Sequence, residues 1–134
     1  MVKLADSDPK HAEAQALAAY EAWVQGEDAT ALRLARRADE LEFTPLPILL
    51  VLVATAASGT DERATYEYAK RAAAAPRHDK VAHSWSRLVA GTGLISTKSR
   101  AEELKHSEAV QSDFDAWVSW SQDYVVAYES RSDA

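Results

Sequence analysis

Four glycines punctuate the chain, and three of them, Gly26, Gly59 and Gly93, recur at almost equal offsets of 33 and then 34. Alanine-rich stretches that close on proline follow the first two: "GEDATALRLARRADELEFTP" from Gly26 and "GTDERATYEYAKRAAAAP" from Gly59. A glycine that ends a helix at positive φ lets the chain reverse within a tight turn. Alanine, roughly a fifth of all residues, has the best helix propensity and a side chain small enough for helix axes to approach. Both stretches place alanine at the fifth position after the glycine (Ala31, Ala64), where the two helices of a hairpin would cross most closely. Recurrence with a period of roughly 34 residues is the mark of helical hairpins that stack. The expected fold is all-α, with stacked antiparallel helical hairpins and a C-terminal capping helix.

The helix signals follow in order. Asp8 is placed to cap a first helix with Pro9 at its first position, and Gly26 ends it. On that helix Leu17, Tyr20 and Val24 share a face, beside Ala16, Ala19 and Trp23. A second helix runs from about Asp28 to Glu42, with Ala31, Leu34, Ala35, Ala38 and Leu41 inward. The prolines of "FTPLP" interrupt, and a third helix, buried on most sides, runs from Pro47 to Ser58. A buried strand is the rival for "ILLVLV", but no second strand exists to pair with it. Asp61 opens a fourth helix to about Ala75, and Asp79 a fifth, with Trp85 inward. Ser99 and Glu102 form a capping-box pattern. The last segment is either one helix or two that break near Ser107 or Ser112.

On these residues the chain resembles the tetratricopeptide repeat (TPR) family, in which a small residue, two alanines and a proline fall at fixed offsets around each second helix. Gly59, Ala64 and Pro76 match, as do Gly26, Ala31 and Ala38. Pro45 comes two positions late, Arg71 stands where the second unit should have alanine, and Lys98 replaces alanine in the third. The degenerate repeat covers about 15–109, with 110–129 as capping helix. A chain of 134 residues is long enough for one domain with a single core, here 1–134, and the resemblance implies pairs at about 9–42, 47–75 and 79–109. It also implies a concave trough, lined by Tyr20, Trp23, Leu49, Val53, Lys80, His83 and Arg87, that holds a peptide or a partner helix. That trough is either open or filled by the C-terminal helix.

Charge is arranged in blocks within a net −6. Residues 1–69 carry 6 basic and 12 acidic groups, 70–100 carry 7 and 1, and 101–134 carry 2 and 8, giving −6, +6 and −6. Such blocks arise when neighbouring elements attract one another within a fold, or when a partner is charged. The chain has no cysteine, which excludes disulfides and thiolate chemistry and suits a reducing, cytoplasmic setting. The N-terminal stretch has no apolar h-region, and "PLPILLVLVATAASG" falls short of the roughly 20 residues that span a bilayer, so no membrane is expected.

No phosphate loop, nucleophile elbow or H-E-x-x-H occurs, and His78 and His83, five apart, fall on different faces of a helix. No catalytic residue, metal site or cofactor is therefore expected. Trp117, Tyr124 and Tyr128 share a face that covers the end of the stack, whereas Trp120 points about 60° away and is a candidate for self-association as a homodimer. The leading expectation is a non-enzymatic protein–protein interaction module (adaptor, chaperone-like or regulatory) that binds a protein or peptide. The alternatives are nucleic-acid or anion binding through the 70–100 block, which the overall acidity disfavours, and a small-ligand pocket among the helices.

Overall fold

The computed structural model describes residues 2–75, 85 and 100–132. Its helices are α1 (Val2–Ser7), α2 (Ala12–Val24), α3 (Asp28–Glu40), α4 (Leu46–Ser58), α5 (Glu62–Ala74) and α6 (Arg100–Ser132), and no strand occurs among the described residues. The all-α architecture is as expected. The expected fifth helix around Asp79, its trough residues Lys80, His83 and Arg87, Gly93 and the start of the capping box at Ser99 lie outside the described residues; Trp85 is helical and buried.

Local chemistry sets the helix ends. Asp61 caps α5 by accepting the Ala64 N–H at 3.0 Å, and Pro45 precedes α4 at φ −60, with Pro47 in the first turn, where its missing N–H costs nothing. The start of α2 differs from expectation. His11, not Asp8, is its cap, with Nδ1 accepting the Ala14 N–H at 3.0 Å. Asp8 closes the preceding turn, its carbonyl accepting from the His11 N–H (3.1 Å) and from Gln15 Nε2 (3.0 Å). That turn joins α1, a helix too short to show periodicity in the sequence.

Helices α2, α3 and α4 end alike. In each, the second residue past the helix sits at positive φ while two orphan carbonyls are capped in a Schellman pattern. For α2 the bonds are Gly26 N–H to Trp23 O (3.0 Å) and Glu27 N–H to Ala22 O (2.8 Å). The left-handed residues are Gly26 (φ 80), Glu42 (φ 61) and Thr60 (φ 59). Gly59 is therefore not the left-handed residue of its turn, since its φ is −80. The structural offset is 34, against 33 between the first two glycines. Shifting α2 (12–24) and α3 (28–40) by 34 gives α4 (46–58) and α5 (62–74), each of 13 residues. In this register the counterpart of Ala31 is the buried Thr65, not the half-buried Ala64.

A β-branched residue at positive φ is strained by about 1–2 kcal/mol, because its Cβ crowds the neighbouring carbonyl. Thr60→Gly is expected to raise stability by about 0.5–1 kcal/mol, the relief exceeding glycine's extra unfolded-state entropy. Denaturant midpoints of the two proteins check this.

Consecutive helices pack against one another, α2 with α3, α3 with α4, α4 with α5 and α5 with α6, and α4 also meets α2 and α6. The short connections 25–27 and 59–61 reverse the chain, making α2–α3 and α4–α5 helical hairpins. Small side chains allow close approach: Ala31, Ala35 and Ala38 on α3, and Ala69 and Ala72 on α5, are fully buried. Helix α4 is the centre, buried at every position from Pro47 to Ala56. Val110, Phe114 and Val118 of α6 join the same core. Helix α6 is continuous over 33 residues, so the expected boundary between 109 and 110 lies inside it.

Candidate interaction surface

The trough positions expected on α4 are core. Leu49 is 6% exposed and Val53 0%, enclosed with the apolar side chains of α6 and Trp85. A helix that is apolar on every side is buried on every side, so the middle of the trough is filled by the chain itself. Tyr20 and Trp23, at the end of α2, stay half-buried with ring centroids 6.0 Å apart. The ring of Trp85 meets Tyr20 edge to face at 5.3 Å. Burial, and after it the Asp113 carboxylate, push the Tyr20 hydroxyl above the usual phenol range. These rings lie within the fold more than on it.

A second aromatic group lies where α6 crosses α5. Trp117, Trp120, Tyr124 and Tyr128 recur at spacings of three, four and four, and so line one side of α6. Trp117 meets Trp120 edge to face at 5.5 Å, Trp120 stacks on Tyr124 at 5.2 Å, and Tyr124 follows Tyr128 at 6.2 Å, tilted by 25°. Tyr66 of α5 completes the column, stacked on Tyr128 at 4.3 Å. Trp120 is thus a member of the stripe it was expected to point away from, yet at 37% exposure it is its most open ring.

The column is fixed at its α5 end by polar contacts. Tyr66 Oη donates to Glu129 Oε1 at 2.8 Å, and this bond to a carboxylate raises the Tyr66 pKa above the usual phenol value. Tyr124 Oη donates to the Glu62 carbonyl at 3.2 Å, and burial, followed by the Glu62 charge, raises its pKa. Arg131 lies 5.7 Å from the Tyr128 ring and 3.4 Å from Glu62 Oε2, while Lys70 stands 5.8 Å over Tyr66. Cation–ring contacts of this kind contribute about 0.5–1 kcal/mol at exposed sites. The sequence offered no sign of Tyr66's role, because its partners, Tyr128 and Glu129, lie near the opposite end of the chain.

Such a surface offers large, flat, partly polar contact area whose rotamers are already chosen, which lowers the entropic cost of binding. No cluster of ligating side chains that could hold a metal ion occurs among the described residues, and no described helix is long and apolar enough to cross a membrane. Two cations of the 70–100 block are engaged internally, Lys70 over Tyr66 and Arg71 on Asp39. Arg77, Lys80, Arg87 and Lys98 lie outside the described residues. Comparison with protein-family models, with curated protein sequences and with solved structures returns no match.

Proposed function

We propose that the chain is a non-enzymatic interaction module of stacked helical hairpins, similar to tetratricopeptide repeats, that engages a protein partner over the α5–α6 aromatic column. The observation that carries this reading is the pre-ordered stack ending in the exposed Trp120. Interface energy concentrates in Trp and Tyr that are held rigid before binding. The constant offset of α4–α5 from α2–α3 supports the repeat-module part of the reading. The cysteine-free composition is in keeping with a reducing, cytoplasmic setting.

The test compares wild-type and Trp120→Ala baits in quantitative affinity capture from the native cell extract. A hot-spot tryptophan contributes about 2 kcal/mol, so recovery of a partner that docks here falls roughly 30-fold. Circular dichroism of the variant verifies that the helices remain. Equal recovery on both baits overturns the reading. Sedimentation at two concentrations adds the homodimer arm: a dimer that Trp120→Ala abolishes makes the partner a second copy of the chain.

A further inference from the structure

One acid–cation contact occurs twice in the stack. Asp6 of α1 accepts from Arg33 at 2.9 Å and from Arg37 Nη1 at 3.1 Å. Asp39 of α3 accepts from Nη2 and Nη1 of Arg71 at 2.7 and 3.0 Å. The two acids, Asp6 and Asp39, are offset by 33, and the two cations, Arg37 and Arg71, by 34. Each acid directly follows a fully buried alanine, Ala5 or Ala38. The acid of one helix is thus held by the arginine of its counterpart one step along. Helix α3 carries both halves. Helix α1 has the acid, and α5 has the cation but Ala73 where an acid would follow Ala72.

Helix α1 therefore stands to α3 as α3 stands to α5, with 6 residues in place of 13. Its attachment differs in chemistry. Gln15 of α2 is 0% exposed; its Nε2 donates to the carbonyls of Ala5 (2.7 Å) and Asp8 (3.0 Å), and its Oε1 accepts from Arg37 (3.0 Å). One step along the stack, the same position is Leu49 of α4, which is packed in the core. Leu49 joins the inner tier to the core by apolar burial, whereas at the outer tier the same position is a carboxamide that bonds the backbone of α1 and its turn, beside the two guanidinium groups on Asp6. A helix as short as α1 has no stability of its own and forms only while docked.

We propose that α1 is a shortened outer tier of the hairpin stack that acts as a strap, opening from the α2–α3 end without unfolding the rest. Hydrogen bonds and ion pairs at a partly wet edge exchange readily with water, whereas an apolar tier opens only with the whole core. Opening uncovers Gln15, releases Arg33 and Arg37 from Asp6 and frees the turn at Lys10.

Limited trypsin digestion of the full chain, with cleavage after Lys10 followed by mass spectrometry, tests this in parallel with thermal melting. Asp6→Asn is expected to raise the cleavage rate about tenfold while leaving the melting midpoint nearly unchanged. Asp39→Asn is expected to lower the midpoint by about 2–4 °C and leave N-terminal cleavage at the wild-type rate under native conditions. The strap is overturned if Asp6→Asn leaves cleavage unaltered. It is equally overturned if Asp6→Asn lowers the midpoint as far as Asp39→Asn does, because α1 would then unfold only with the core.

Discussion

Phe114→Ala is expected to cost about 3–5 kcal/mol, the range for deleting a buried aromatic ring from a core. Phe114 is 3% exposed and belongs to the cluster that includes the apolar face of α4, so its ring ties α6 to the centre of the fold. The polar ties of α6 are weaker than this apolar one. Tyr66–Glu129 and Arg131–Glu62 are exposed polar contacts at its far end, and exposed ion pairs contribute roughly 0–1 kcal/mol. Neighbouring side chains cannot fill the vacated space cheaply, since Val110 and Val118, one turn to either side, are already packed. A domain of this size has about 5–15 kcal/mol of net stability, so the variant loses a large share of it. Guanidinium unfolding followed by circular dichroism reads the effect as a lower midpoint at unchanged slope. A loss below about 1 kcal/mol would mean that α6 is not part of the core.

The helices that could be read from the sequence are those whose ends carry their own chemistry. Asp28 and Asp61 open α3 and α5, and Pro45 and Pro47 open α4. What escaped depends on tertiary partners or on conformations the residue type does not announce. Gln15 looks like one more polar residue on an amphipathic helix, yet it is fully buried because its acceptors, the carbonyls of Ala5 and Asp8, lie behind it in α1 and the turn that follows. Aligning on glycine shifted the repeat by one position, because Thr60 rather than Gly59 takes the left-handed conformation. Ser112 did not break α6, since an exposed serine costs a helix only a fraction of a kcal/mol and packing on either side of it outweighs that.

The candidate surface was legible to a similar degree. The sequence singles out Trp120 by its angular position and Trp117, Tyr124 and Tyr128 as a shared face beside it, whereas the stacking of Trp120 on that face and the part of Tyr66 across the helix crossing are visible only in three dimensions. The α4 trough residues carried a contradiction that sequence reasoning could have caught. A segment apolar in all directions cannot bury every side and also present Leu49 and Val53 to a guest.

Val53→Asp separates the two roles outright. In an open trough the new carboxylate would face water, leave stability nearly unchanged and affect binding alone. At a fully buried position within the apolar cluster it must either lose its charge or unfold the chain. The expected result at neutral pH is a loss of more than about 4 kcal/mol, enough to unfold much of the population at room temperature. The sign of the pH dependence follows from the proton. In the folded state burial raises the new carboxyl's pKa, so it keeps its proton at pH values where the unfolded chain, with a pKa of about 3.9, has released it. The unfolded form then binds fewer protons, and stability falls by about 1.4 kcal/mol per pH unit between the unfolded value and the raised one. Thermal melting at pH 4.5 and pH 7 should show the variant losing much more of its midpoint on the upward step than the wild type does. A variant that melts within a degree or two of the wild type at pH 7 would put Val53 at the surface and reopen α4 to a guest.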